Sequence, residues 1–145
     1  MKFVSIAAMA VLAASLGSAA AQGDVVAERQ TILKTFGAGI REPGAMMRGE
    51  MPYDQAKVMA ALATLKAGAA KLPPLFPDAS LTATGTKALP LIATERDKFA
   101  AIFTKMGADV TAAEGAIKDE ASFKAEFPKV LANCGACHRV YRAPQ

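Results

Sequence analysis

The sequence predicts an all-α fold, an antiparallel four-helix bundle, and three observations carry that expectation. Beyond the first two dozen residues, apolar side chains recur at spacings of three and four in four successive segments. No stretch alternates apolar and polar residues as a half-buried strand would. Each segment, at 1.5 Å per residue, is about 25 to 35 Å long, so four of them packed side by side form the simplest closed core.

The first helix is expected from about Asp24, a plausible N-cap, with Val25, Ile32, Leu33 and Phe36 as its apolar stripe and Glu28, Arg29 and Lys34 interspersed. Gly37, Gly39 and Pro43 predict a kink, after which the helix resumes through Met46 and Met47 before Gly49 and Pro52. The second starts near Tyr53–Asp54 and carries Val58, Met59, Leu62, Leu65 and Leu72 to a stop at Pro73–Pro74. Residues 73–86, mixed in Pro, Gly, Ser, Thr and Asp, read as a long connection. The third helix begins at Ala88 to Pro90, where proline suits a first turn, and uses Leu91, Ile92, Phe99, Ile102, Phe103 and Met106. After a break over Ala113 to Lys118, the fourth is expected from a Ser122 cap through Phe123, Phe127, Val130 and Leu131 to Tyr141, with Pro128 kinking it or starting its regular part.

The N-terminus has a different character. Met1–Lys2 is a short basic start, Phe3 to Leu16 is an almost unbroken apolar run, and Ser18 to Ala21 supplies small residues for cleavage. These are the parts of an export signal, expected over residues 1–21, and the run is too short for a stable membrane anchor. Residues 22–145 then form a single domain with no membrane association. The whole chain carries a formal charge of +4, one unit less without Lys2, which argues only weakly about partners. Scattered cations, no Trp and no interleaving of aromatic with basic residues exclude a nucleic-acid binder.

The chemistry is concentrated at the other end. Cys134-Gly135-Ala136-Cys137-His138 gathers both cysteines and the single histidine of the chain into five positions. This C-x-x-C-H run is the attachment pattern of a c-type haem: two thiols add to the haem vinyl groups and the adjacent imidazole is held against the iron. A redox-active dithiol is one alternative, but such a pair sits at a helix N-terminus after a strand, and here it lies near the end of a helical pattern. A structural zinc site is another, though cysteine and histidine together supply three ligands where four are usual. Spacing along a helix keeps Cys134, Cys137, His138 and Tyr141 on or beside one face, along which a haem plane can lie. Haem attachment outside the cytoplasm agrees with the export signal and points to the periplasm.

With these residues in view, the chain resembles the class II c-type cytochromes, the cytochrome c′ family and its low-spin relatives, over essentially all of residues 22–145. That family carries C-x-x-C-H on the C-terminal helix, and Cys134 to Arg142 is similar to its ending, including the aromatic-Arg pair. Arg29-Gln30 resembles a family Arg-Gln whose arginine lies close to a haem propionate, and Gly49 to Asp54 resembles the entry to the second helix. Four residues after Arg29, the low-spin relatives have an iron-binding methionine in this region, and cytochromes c′ an apolar residue. Leu33 stands there. The resemblance therefore implies one covalent haem c on Cys134 and Cys137, His138 as its only protein iron ligand, and Arg29, Gln30 and Leu33 around it. It also implies a homodimer through the first two helices.

The function expected is one-electron transfer with a periplasmic redox protein. The alternative is binding of a small diatomic gas such as NO or CO at an open iron position behind Leu33. Peroxidase-type catalysis needs a distal acid–base group, usually histidine, and no second histidine exists to provide it, so a non-enzymatic protein is expected.

Overall fold

The computed structural model describes residues 24–144; the export signal expected over residues 1–21 lies outside the described residues. The first helix, α1, spans residues 24–39 and gives way at Ile40 to a short α2, Arg41–Met47. The interruption falls where Gly37, Gly39 and Pro43 predict it. Pro43 sits in the first turn of α2, where its missing N–H leaves no intrahelical bond unmade. Gly49, at φ 71°, then takes the left-handed conformation that closes this segment.

Helix α3, Gln55–Lys71, is capped by Asp54, whose carboxylate accepts from the Lys57 N–H at 3.1 Å, and it ends before Pro73–Pro74 as the sequence requires. The connection holds two 3₁₀ turns, Pro73–Leu75 and Asp78–Leu81. The expected third helix is divided into α4, Leu91–Thr94, and α5, Arg96–Ala116. The division lies at Glu95, whose backbone (φ −122°, ψ 37°) leaves the helical region while its carboxylate accepts from the Tyr141 hydroxyl. Helix α6, Glu120–Tyr141, starts earlier than expected. Asp119 is its N-cap and Ser122 the third helical residue: Ser122 N–H donates to Asp119 Oδ1 at 2.8 Å, and Asp119 N–H donates to Ser122 Oγ at 3.0 Å. Pro128 neither starts nor ends α6; it is exposed, inside the helix, about two turns from the N-terminus.

Helices α1, α3, α5 and α6 make the four-helix bundle. Leu62, Leu65, Ile92, Val110, Phe123 and Phe127 are fully enclosed in its core. Phe99 is its aromatic hub, edge-on to Phe76, Phe103 and Tyr141 with ring centroids 4.8, 5.1 and 5.2 Å away. Helices α1 and α3 run past each other closely: a Cβ on Gly68 would fall 2.2 Å from the Phe36 ring and 2.9 Å from Ile32, so only glycine admits this crossing. Among the described residues no helix is long and apolar enough to cross a membrane.

Candidate cofactor site

Helix α6 brings Cys134, Cys137 and His138 onto successive turns, all half-buried, with both thiols free. Three residues on, Tyr141 is buried against Phe99 and donates to Glu95 Oε2 at 2.9 Å. The chain beyond it is held by a short antiparallel pairing. Leu89 N–H donates to the Tyr141 carbonyl and Ala143 N–H to that of Lys87, both at 2.9 Å, with Ala88 opposite Arg142. One residue before the motif, buried Asn133 donates from Nδ2 to Asp109 Oδ2 on α5 at 2.7 Å, and to the Lys129 and Val130 carbonyls. The motif is thus anchored on both sides by polar contacts from other elements.

The environment of the thiols bears on their chemistry. Burial first, and the neighbouring Cys134 second, push the Cys137 thiol up to about 11 against the lowering effect of Arg142. Burial also raises Cys134. Both are thiols at neutral pH, the reverse of the lowered values that mark nucleophilic dithiols, and they lie toward the C-terminal end of α6, where the helix dipole disfavours a thiolate. Burial, then the charge of Arg142, lowers His138, so its imidazole is neutral and able to offer a nitrogen lone pair. Among the described residues no group of three or more His, Cys, Asp or Glu side chains is gathered to hold a metal ion.

Arg29 occupies a role that sequence reasoning missed. The residue is only 3% exposed, and its guanidinium is wrapped by the 73–86 connection. Nη1 donates to the Leu75 carbonyl (2.9 Å) and Ser80 Oγ (2.8 Å), and Nη2 to the Ser80 carbonyl (3.0 Å) and Thr86 Oγ1 (2.5 Å). The group also lies 4.6 Å from the Phe76 ring centroid. Burial lowers its pKa, and among the described residues no carboxylate pairs with it. Gln30 joins the same connection, its Nε2 donating to the Gly85 carbonyl at 2.9 Å. Thr86 Oγ1 accepts from Ala88 N–H, so a continuous polar path runs from α1 through the connection to the end of α6.

Arg29 reaches Thr86, and Thr86 and Ala88 lead on to Arg142, so this part of α1 and the end of α6 meet the same connection; Leu33 follows Arg29 by one turn on α1, and Cys137–His138 precede Arg142 by about one turn. Both core-facing stripes are interrupted. On α1, Val26, Arg29 and Phe36 are buried, yet Leu33 between them is 38% exposed. On α6, Phe123, Phe127, Val130 and Tyr141 are buried, while Cys134 and Cys137 between them are only half-covered. An exposed apolar residue in one interrupted stripe and two half-covered thiols with an imidazole in the other fit a flat apolar group held covalently. The buried, unneutralised Arg29 nearby fits that group's carboxylates.

A family model described as cytochrome C′ matches residues 24–142. The chain is 46% identical to cytochrome c′ from Rhodopseudomonas palustris in a solved structure, covering 84% of this chain and 98% of that one with a TM-score of 0.82. It is 37% identical over 146 residues to a cytochrome c-556 of the same organism, covering 98% of this chain and 97% of the relative. A more distant solved structure, the nitric oxide complex of a mutant cytochrome c prime from Alcaligenes xylosoxidans, is 25% identical with a TM-score of 0.73, over 85% of this chain and 97% of that one.

Proposed function

Because the chain belongs to the cytochrome c′ family, we propose that it is a periplasmic electron carrier holding one haem c between α1 and α6. The observation that carries this reading is the interruption of both core stripes, at Leu33 in one and at Cys134, Cys137 and His138 in the other. When bound, the group supplies one-electron Fe(III)/Fe(II) exchange. Cys134 and Cys137 would hold it by thioether bonds, and neutral His138 would give its lone pair to the iron. Arg29 would offset propionate charge from its place under the connection, and Gln30 would steady the same loop. Residues 1–21 would be removed on export, leaving residues 22–145 as the working domain.

Leu33 favours a second reading. Its side chain has no lone pair, so opposite His138 it would leave the iron a free coordination position behind an apolar wall, and a nitric oxide complex is known for a structural relative. Gas binding and electron transfer use the same residues, and spectra separate them. Absorption spectra of the purified holoprotein, oxidised, reduced and under CO, are expected to show a five-coordinate high-spin haem that takes up CO. A low-spin spectrum with a methionine-to-iron charge-transfer band would overturn the role given to Leu33 and leave a dedicated electron carrier.

A further inference from the structure

The chain has two tyrosines and no tryptophan, and the two phenol hydroxyls have opposite surroundings. Tyr141 is 4% exposed and edge-on to Phe99 with ring centroids 5.2 Å apart, and its hydroxyl donates to Glu95 Oε2 at 2.9 Å. Tyr53 packs on Phe123, and its buried hydroxyl has no hydrogen-bond partner among the described residues. A phenol that loses an electron must also shed its proton, which needs a base within hydrogen-bond reach. Only Tyr141 has one.

Glu95 is prepared to receive that proton. It stands at the N-cap of α5, yet its side chain makes no capping bond there and turns instead to Tyr141 and to Lys98, whose Nζ donates to Oε1 at 2.7 Å. The bond from Lys98, then that from Tyr141, keeps the Glu95 carboxyl below its ordinary range, so it is ionised at neutral pH. Burial first, and Glu95 second, hold the Tyr141 phenol above its ordinary value, so it keeps its proton until it is oxidised. Position along α6 completes the arrangement. Tyr141 follows Cys137 by four residues and His138 by three, spacings that bring side chains together on one helix face. Tyr53 is remote from them, because Phe123 beneath it lies about four turns of α6 before Cys137.

We propose that Tyr141 is a redox-active side chain that returns an electron to the haem when a peroxide over-oxidises it, with Glu95 taking the proton. This rests on the haem being held by Cys134, Cys137 and His138. Hydrogen peroxide transfers one oxygen to the ferric group, releases the other as water, and so leaves two oxidising equivalents behind. Tyr141 then gives up one electron to the group, its O–H bond breaks, and the proton passes along the 2.9 Å hydrogen bond to Glu95 Oε2. The products are a neutral phenoxyl radical, a protonated carboxyl and a haem holding one oxidising equivalent. Burial against Phe99 shields that radical from solvent. No second histidine is present to drive peroxidase turnover, so the exchange protects the haem rather than consuming peroxide.

The test mixes ferric holoprotein, its covalent haem verified by staining on denaturing gels, with hydrogen peroxide and freezes it for electron paramagnetic resonance. Wild type is expected to show a tyrosyl radical, and a nitroso spin trap should mark Tyr141 in peptide mass spectra. Tyr141→Phe, which keeps a ring against Phe99, should abolish both and make the Soret band bleach several-fold faster. Glu95→Gln retains a carbonyl to accept the phenol hydrogen bond but cannot take the proton, so the radical yield should fall about tenfold. Glu95→Gln serves alone if Tyr141→Phe fails to fold. Tyr53→Phe should change neither the signal nor the bleaching. A full radical signal in Tyr141→Phe, or one lost only in Tyr53→Phe, would overturn the proposal. A full signal in Glu95→Gln would overturn the part given to the carboxylate. Wild type with intact covalent haem but no radical would overturn the proposal and leave the haem reading standing, whereas wild type without covalent haem would overturn both.

Discussion

Leu33 and Arg29 lie one turn apart on α1 and show how differently single residues can be exposed along one helix face. Replacing Leu33 with methionine puts a thioether where leucine has only carbon, and CO binding to the reduced Leu33→Met holoprotein should weaken as its spectrum moves toward six-coordinate low-spin. Leu33→Ala should instead speed CO association without losing the high-spin spectrum, which flash photolysis would measure. Arg29 is a stability residue as well. Arg29→Ala removes four hydrogen bonds and strands buried Ser80 and the Leu75 carbonyl, and urea unfolding should register a loss of about 3 to 5 kcal/mol. Arg29→Lys should recover little of it, because an ammonium cannot span the Leu75, Ser80 and Thr86 acceptors in one plane.

At the scale of elements, contacts between helices decide what the sequence could show. The apolar periodicities of α3 and α6 were legible because those helices bury one continuous face, and Pro73–Pro74 marks a stop that no packing overrides. The split at Glu95 was not legible, since it accompanies a tertiary bond from Tyr141, a residue far away in sequence. The start of α6 was misplaced for a local reason: Asp119 and Ser122 both cap, and the reciprocal geometry makes the aspartate the N-cap. The motif announced Cys134, Cys137 and His138 by spacing alone. Ser80, Thr86, Asp109 and Asn133, which brace the site, carry no such pattern because their partners come from other elements. Two element-level outcomes follow. Gly68→Ala forces a methyl into the Phe36 ring and should cost about 1 to 3 kcal/mol by urea unfolding. The hydrogen bond from Asn133, and then that from Lys105, lowers the Asp109 pKa in the folded protein, so its stabilisation is present above the ordinary carboxylate range and is lost as pH falls through the depressed value. The stability gap between wild type and Asn133→Leu should therefore be largest near neutral pH and narrow in acid, which unfolding curves at stepped pH would reveal.

For the whole molecule, the two interrupted stripes mean that the bundle is incompletely packed at Leu33, Cys137 and His138, while the core residues on either side of them along α1 and α6 are buried. Apolar surface left uncovered inside a small domain weakens it, and a group that fills the space only in the folded state shifts the equilibrium toward folding. The path from Arg29 through Thr86 and Ala88 to Arg142 ties α1 to the end of α6 through the connection. Cys134→Ala with Cys137→Ala, which removes the only thiols in the chain, should then abolish haem staining on denaturing gels. The same protein should keep its helical circular-dichroism signature but unfold at clearly lower urea than the haem-loaded wild type. Covalent staining that survives in this double variant would place the attachment elsewhere. Unchanged urea stability would mean that the group does not cover the interrupted stripes of α1 and α6.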